Sequence, residues 1–177
     1  GVNYAIPATE YLESIKHKLR GYIISHGHMD HIGALTHVVP GCPAPIFGSR
    51  FTIGTVEALF EKAEERGLRY APECHVLNMD THERVTLGVF TIELVRVTHS
   101  IPAASVIVVD TPVGKIINTG DFRLDPEPLD DRPSDVARLK ELGDEGVLLL
   151  MSESTGTNKP GRTPTEHTLQ DSFDRLI

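Results

Sequence analysis

Cysteine is scarce in this chain, and the two that occur are far apart. Cys42 and Cys74 are the only ones among 177 residues, and neither belongs to a CxxC pair. Two cysteines are too few for the disulfide framework of a small secreted domain. We therefore expect each to be a small buried or reduced thiol, although the sequence leaves open a bond between them.

Long apolar runs and an excess of positive charge are lacking as well. No apolar stretch approaches the roughly 20 residues that span a bilayer, and a basic-then-apolar signal pattern is missing at the N-terminus. These absences predict no membrane association and a cytoplasmic location. The net charge of −8 argues against a broad basic surface for nucleic acid. It leaves room for a metal-centred nuclease, because divalent ions supply positive charge locally.

Internal repeats and low-complexity tracts are also missing, so length and pattern carry the prediction of the fold. A chain of 177 residues with 40% hydrophobic content is typical of one domain with a sizeable core. Short segments rich in Val, Ile and Thr alternate with helical patterns, which predicts an α/β sandwich with helices on the outer faces of its sheets. The predicted helices are 9–19, 32–39, 50–66, 134–142 and 165–177, and the predicted strands are 21–25, 85–97, 105–110, 113–118 and 147–151.

The densest run of potential metal ligands is the segment SHGHMDH at 25–31. Imidazole nitrogens and carboxylate oxygens bind zinc and similar ions, and a catalytic site keeps one coordination position free for water. In extended backbone, residues two apart lie on one side, so His26, His28 and Asp30 converge if this segment is a loop between a strand and a helix. The alternative is that Asp30 caps the helix beside three surface histidines.

Two further residues of ligand type stand at strand ends. His99 follows the predicted strand that ends at residue 97, and Asp121 follows a strand that ends near residue 118. Sites are commonly assembled from such positions. Each signal is weak alone, because a lone histidine is more often a hydrogen-bonded core or surface residue and Gly-Asp is an ordinary turn.

Taken together, these segments resemble the metallo-β-lactamase superfamily. The resemblance consists of HxHxDH at 26–31, Thr-His-Ser at 98–100 and Thr-Gly-Asp at 119–121. It implies an αββα sandwich, here incomplete at both ends, that holds two divalent metal ions. The implied first ion has the ligands His26, His28 and His99, the implied second ion has Asp30 and His31, and Asp121 bridges the two.

The flanking residues narrow the resemblance to the ribonuclease J family. SHGHMDHIGAL at 25–35, RVTHSIP at 96–102 and TGDFR at 119–123 are similar to that family's motifs. Residues 142–166 are similar to the junction at which the family enters its β-CASP domain. The resemblance implies an internal fragment, with a metallo-β-lactamase domain lacking its first strands at 1–151 and the truncated start of a β-CASP domain at 152–177.

Glu153 falls at the acidic position of the first β-CASP motif. Ribonuclease J usually has aspartate there, so Glu153 keeps the carboxylate but is not the residue typical of that subfamily. The resemblance implies that Glu153 positions a ligand histidine or assists proton transfer. The alternative is a carboxylate that caps a turn at the end of a strand.

The resemblance implies a ribonuclease that cuts RNA in the 5′-to-3′ direction, endonucleolytically, or both. A hydroxide activated by two ions would attack phosphorus, and the implied catalytic residues are Asp30, Asp121 and Glu153. Zn²⁺ is the expected metal, and Mn²⁺ also suits the ligands. RNA is the expected partner, and the full-length protein would form dimers or tetramers.

Two alternatives stay open: hydrolysis of a β-lactam, thioester or lactone, and a non-catalytic metal-binding fragment. The histidines expected not to bind metal are His17, His37, His75, His82 and His167.

Overall fold

The fold was examined in a computed structural model, which describes residues 5–161 and 163–176. Two β-sheets carry the architecture in these residues. The first sheet is short and entirely parallel, and its three strands lie in chain order. Its strands are β1 (Tyr22–Ile23), β2 (Ile46–Gly48) and β3 (Cys74–Val76).

The second sheet has five strands, also in chain order. Successive strands are antiparallel up to the last, which runs parallel to its neighbour. Its members are rich in the β-branched residues that suit a half-buried pleated surface. They are β4 (Arg84–Leu87), β5 (Phe90–Arg96), β6 (Ser105–Thr111), β7 (Gly114–Asn118) and β8 (Leu149–Met151).

One predicted strand is two strands in the structure. The segment 85–97 was expected to be continuous, but Leu87 pairs with Phe90 across a two-residue turn. Gly88 lies in this turn with a φ of 67°, a left-handed conformation that glycine adopts at little cost. The single long strand is therefore wrong, and a hairpin replaces it.

Six α-helices accompany the sheets in the described residues. The long helix begins where the Ser49 side chain accepts a hydrogen bond from the Thr52 N–H, and it stops just before Gly67, whose φ is 103°. Both are ordinary helix boundary signals. The predicted helix 9–19 shortens to one α-turn followed by a 3₁₀ turn at Lys16–Lys18, and residue 177 of the last predicted helix lies outside the described residues. The helices are α1 (Glu10–Ser14), α2 (Met29–Ile32), α3 (Leu35–Val38), α4 (Arg50–Glu65), α5 (Val136–Glu145) and α6 (His167–Asp174).

The core is layered, with one apolar cluster in each interface. Helices α2 to α4 cover the three-stranded sheet, with Val56 and Ile46 fully buried between them. The inner faces of the two sheets meet through residues such as Phe47 and Leu94. Helix α5 covers the outer face of the five-stranded sheet through Leu142, which is also fully buried. This helix–sheet–sheet–helix order confirms the predicted αββα sandwich.

Strand β8 is the exception to this burial. It lies at the edge of its sheet, and its three residues are all exposed.

No helix in the described part of the chain is both long enough and apolar enough to cross a membrane.

Candidate metal centre

The ligand-rich segment lies between β1 and α2. His28 occupies the N-cap position of α2 with extended φ and ψ of −68° and 148°, and the helix begins at Met29. The segment is therefore the strand-to-helix loop that the spacing predicts. Gly27 suits a close approach to α4, because a Cβ at this position would lie 3.1 Å from Thr55. Asp30 is the second residue of α2, so the interpretation of Asp30 as its N-cap is wrong.

Three imidazoles meet at the end of this loop. His28 Nδ1 lies 3.1 Å from His26 Nε2 and 3.2 Å from His99 Nε2. One ring nitrogen from each residue lies within 4.8 Å of the others. His99 reaches the loop from the segment that follows β5, 71 positions away in sequence. The structure thus brings together the three residues expected to hold the first ion.

Burial favours the neutral, metal-binding form of two of these imidazoles, those of His26 and His99. His26 is fully buried, and its burial, together with the neighbouring His31 and His99, lowers its pKa to about 4. Burial and the nearby His28 also lower the pKa of His99. Because neutral imidazole offers a free lone pair, converging neutral nitrogens fit a divalent ion of the zinc class.

A second cluster adds a carboxylate to the same place. His26, His31 and Asp121 also offer atoms within 4.8 Å of one another. Asp121 Oδ2 lies 3.5 Å from His31 Nε2, 3.9 Å from His26 Nε2 and 3.8 Å from His99 Nε2. Asp121 therefore faces both sets of imidazoles, as a bridging ligand must. His26 Nε2 has one lone pair, so it can bind only one ion at a time.

Asp30 stands apart from both clusters. Its side chain is 78% exposed, and its Oδ2 lies 3.6 Å from His31 Nε2. Its expected part in the second ion stays a prediction, which requires the carboxylate to turn towards Asp121. The structure brings together the other five predicted ligands.

A neighbouring hydroxyl sets the nitrogen that His26 presents to the cluster. Ser25 Oγ lies 3.1 Å from His26 Nδ1, which leaves Nε2 facing the cluster. Ser105 in turn holds Ser25 in place, donating to its carbonyl from both N–H and Oγ at 2.9 Å. Gly120 passes close by with a φ of 54°, and a Cβ there would lie 2.8 Å from Ser25 Cβ. Gly120 thus permits the close passage of the chain just before Asp121.

A hydrogen-bonded hub joins the loops that carry His99 and Asp121. Arg123 N–H donates to the Thr98 carbonyl at 2.7 Å, and Thr98 Oγ1 donates to the Arg123 carbonyl at 2.5 Å. Ser134 Oγ accepts from Thr98 N–H at 2.9 Å and donates to the Arg123 carbonyl at 3.0 Å. Thr98 and Ser134 were not predicted as site residues. Their only sequence signal is the position of Thr98 beside His99, because Ser134 is 36 positions away.

Glu153 belongs to neither ligand cluster, but its carboxylate is hydrogen-bonded to the loop that carries Asp121. Its carboxylate accepts hydrogen bonds from the Phe122 N–H at 3.3 Å and the Thr155 N–H at 3.0 Å. Hydrogen bonding from Thr155 lowers the pKa of Glu153, and the nearby His99 adds to this shift. The bond to Thr155 is the turn-capping contact of the alternative hypothesis, while the bond to Phe122 reaches the residue next to Asp121.

The histidines expected not to bind metal lie outside both clusters of the described residues. His75 pairs with Glu73 at 2.7 Å. His82 lies 3.5 Å from both Glu93 and Asp135. Cys42 and Cys74 are both free thiols, the first buried and the second partly buried.

Comparison with known proteins agrees with this geometry. Residues 5–139 match the family model described as the beta-lactamase superfamily domain. The chain is 40% identical over 183 residues to "Ribonuclease J" of Thermus thermophilus and 38% identical over 177 residues to "Ribonuclease J" of Helicobacter pylori. All of this chain is matched, but only 31% and 25% of those relatives. The chain thus spans about a quarter to a third of their length.

A solved structure of a protein of unknown function from Enterococcus faecalis V583 shares the fold. The two superpose with a TM-score of 0.63 over 88% of this chain and 38% of the other, at 22% sequence identity. Three observations thus indicate the same family: the layered sandwich, the cluster of histidines and aspartate, and the family match. The chain therefore belongs to the metallo-β-lactamase superfamily, and its matched relatives there are ribonuclease J proteins.

Proposed function

We propose that this chain is the metal-binding part of a metal-dependent ribonuclease that hydrolyses RNA phosphodiester bonds. The observation that carries the proposal is the convergence of His26, His28 and His99 on one another. The Asp121 carboxylate lies beside two of these imidazoles, those of His26 and His99. The similarity to ribonuclease J proteins supports RNA as the substrate. Cleavage from the 5′ end, internally, or both stays a prediction. We further propose a metallo-β-lactamase domain at 1–151, which the family match over residues 5–139 supports, and the start of a β-CASP domain at 152–177. A cytoplasmic location and an oligomeric full-length protein stay predictions.

The residues divide the work at this site. His26, His28 and His99 would hold one ion, while His31 and Asp30 would hold a second with Asp121 between them. Zn²⁺ fits the imidazole-rich first set, and Mn²⁺ suits the more carboxylate-rich second set. Two such ions would supply Lewis-acid activation of water and would stabilise charge on the phosphate oxygens.

The protein groups supply orientation. The Asp121 carboxylate accepts hydrogen bonds and can align the attacking water towards phosphorus. Its own loop is held by Glu153 through Phe122 and by Thr98 through Arg123. The hydrogen bond of Ser25 to His26 fixes which nitrogen faces the site. This rigid support keeps the ligands in place as charge develops in the transition state.

Cleavage of 5′-monophosphorylated, labelled RNA with added Zn²⁺ or Mn²⁺, against a chelator control, tests the proposal. We expect chelator-sensitive cleavage, and we expect Asp121→Ala to lose more than about 100-fold of it because the bridging carboxylate is gone. Asp144→Ala is the matched control, since its carboxylate lies on the surface of α5 paired with Lys140. Equal turnover by Asp121→Ala, or cleavage that survives chelation, contradicts the two-metal assignment.

Two further measurements separate the alternatives. Metal-dependent hydrolysis of a chromogenic β-lactam, with RNA left intact, would replace the proposal with a carbonyl substrate. Calorimetric binding of Zn²⁺ without turnover of either substrate would favour the non-catalytic metal-binding fragment. RNA cleavage with calorimetric binding of two ions per chain supports the proposal in full.

A further inference from the structure

A cavity of about 210 Å³ opens beside the metal centre, and His99 belongs to both. One wall is the loop 96–103, which continues past His99 from the end of β5. Residues 128–130 and 132 form another part of the wall. Apolar groups form much of this lining, including Ile101, Pro102 and Leu129. A molecule bound at the ligand cluster therefore has an adjoining recess with apolar surfaces.

The charged groups of this cavity already have partners inside the protein. Arg96 and Arg132 both bind the Asp80 carboxylate, at 2.5 Å and 2.6 Å. Glu166 lies 3.7 Å from the Arg123 guanidinium. The lining carries two guanidinium groups and two carboxylates, those of Asp130 and Glu166. Because these formal charges balance, the recess has little net charge to attract a phosphate. Its apolar walls suit an uncharged, flat group instead.

Backbone strain is concentrated around the same cavity. Among the described residues, the non-glycine residues with positive φ are Ala103 at 56°, Asp131 at 55° and His82 at 50°. Ala103 lines the cavity, and Asp131 lies between two of its lining residues. His82 follows a second 3₁₀ turn, Met79–Thr81, which contains Asp80. Such conformations cost free energy and persist where the surrounding structure holds them, which is common at ligand sites.

We propose that this cavity binds the nucleobase of the RNA nucleotide next to the phosphate at the metal centre. The inference rests on the proposed function, because that function places the phosphate beside His99. Proteins that bind single-stranded RNA recognise unstacked bases by contact with their flat faces and by hydrogen bonds to their edges. Here Ile101, Pro102 and Leu129 offer the contact surface. The Ser100 hydroxyl and the other polar groups of the lining can form hydrogen bonds with the edges of the base.

The first test is a titration followed by NMR, with the labelled Zn²⁺-loaded chain and two probes. AMP carries a base, whereas ribose 5-phosphate has the same sugar and phosphate without one. We expect AMP to shift the methyl signals of Ile101, Ala103 and Leu129, and ribose 5-phosphate to leave them unchanged. Equal shifts from both probes, or AMP shifts that spare all three residues, overturn the proposal. This measurement needs no RNA cleavage, so it stands even if the chain proves not to be a ribonuclease.

The second test is kinetic. Leu129 is 49% exposed, so Leu129→Ala removes a contact surface with little effect on folding. We expect the KM for RNA to rise about 10-fold with kcat unchanged, a factor typical of one base contact. Val113→Ala is the matched control, because Val113 is 80% exposed at the turn between β6 and β7. An unchanged KM in Leu129→Ala, with RNA cleavage intact, refutes the subsite alone and leaves the ribonuclease proposal standing.

Discussion

Replacing Thr98 with valine tests whether the hub between the His99 and Asp121 loops sets the geometry of the metal centre. Valine has nearly the same shape as threonine, so the change removes the hydroxyl without opening a cavity. Thr98 is 7% exposed, and its Oγ1 donates to the Arg123 carbonyl at 2.5 Å and accepts from the Asp125 N–H at 3.1 Å. Both bonds disappear together, and the buried Asp125 loses this partner for its N–H.

The magnitude follows from these two bonds. The bond to the Arg123 carbonyl is worth about 1 kcal/mol net, and loss of the other bond leaves the buried Asp125 N–H without this partner, which costs about 1–3 kcal/mol. We therefore expect Thr98→Val to lower the free energy of unfolding by about 2–4 kcal/mol. For a chain of this length that is a fall in Tm of roughly 4–16 °C. Because the connection between the loops of two ligands is weakened, Zn²⁺ affinity should also fall about 10-fold to 100-fold.

Thermal unfolding of the metal-free chain and calorimetric Zn²⁺ titration of the folded chain measure the two effects separately. Thr86→Val is the matched control, since Thr86 is exposed on β4 and its hydroxyl only approaches that of Thr91 at 3.4 Å. If Thr98→Val lowered Tm but left the Zn²⁺ dissociation constant unchanged, the hub would be structural and the argument that it positions the ligands would be refuted.

Two other contacts make separate predictions. Arg138→Ala leaves the buried Glu93 carboxylate without the guanidinium that binds it at 2.7 Å and 2.9 Å. Urea denaturation should therefore show that the free energy of unfolding falls by about 3–5 kcal/mol. A fall of less than about 1 kcal/mol would contradict this prediction. Hydrogen bonds from Arg96 and Arg132 hold the pKa of Asp80 below its usual range, so its contribution to stability is complete above about pH 4 and is lost as the pH falls further. The difference in urea midpoint between wild type and Asp80→Asn should therefore shrink from pH 5 towards pH 2, and a constant difference would count against this ion pair.

Much of the ligand set could be predicted from spacing. Positions two apart lie on one side of extended backbone, and that rule brings His26 and His28 to one place. His99 and Asp121 were predictable because both follow strands of β-branched residues, and strand ends share an edge of the sheet. The position of Asp30 was not predictable in this way, because α2 begins before it and turns its carboxylate outward.

Other features depend on contacts that local pattern does not encode. Strands β2 and β3 have three residues each, too few to show a period. The partnership of Thr98 with Ser134 spans 36 positions and exists only once the chain has folded. The cavity beside His99 likewise forms from two loops that are distant in sequence.

The proposed metal centre would draw its ligands from both layers of the sandwich. His26 follows β1 of the three-stranded sheet, whereas His99 and Asp121 follow β5 and β7 of the other. An ion bound to all of them would act as a cross-link between sheets that otherwise meet through apolar side chains and through the hydrogen bonds of Ser105 to Ser25. Binding and folding are then thermodynamically linked: at a free ion concentration 1,000 times the dissociation constant, the folded state gains about 4 kcal/mol. Depletion of metal would thus weaken the packing of one sheet on the other as well as reduce catalytic activity. A Tm that does not change with Zn²⁺ concentration would disprove this link.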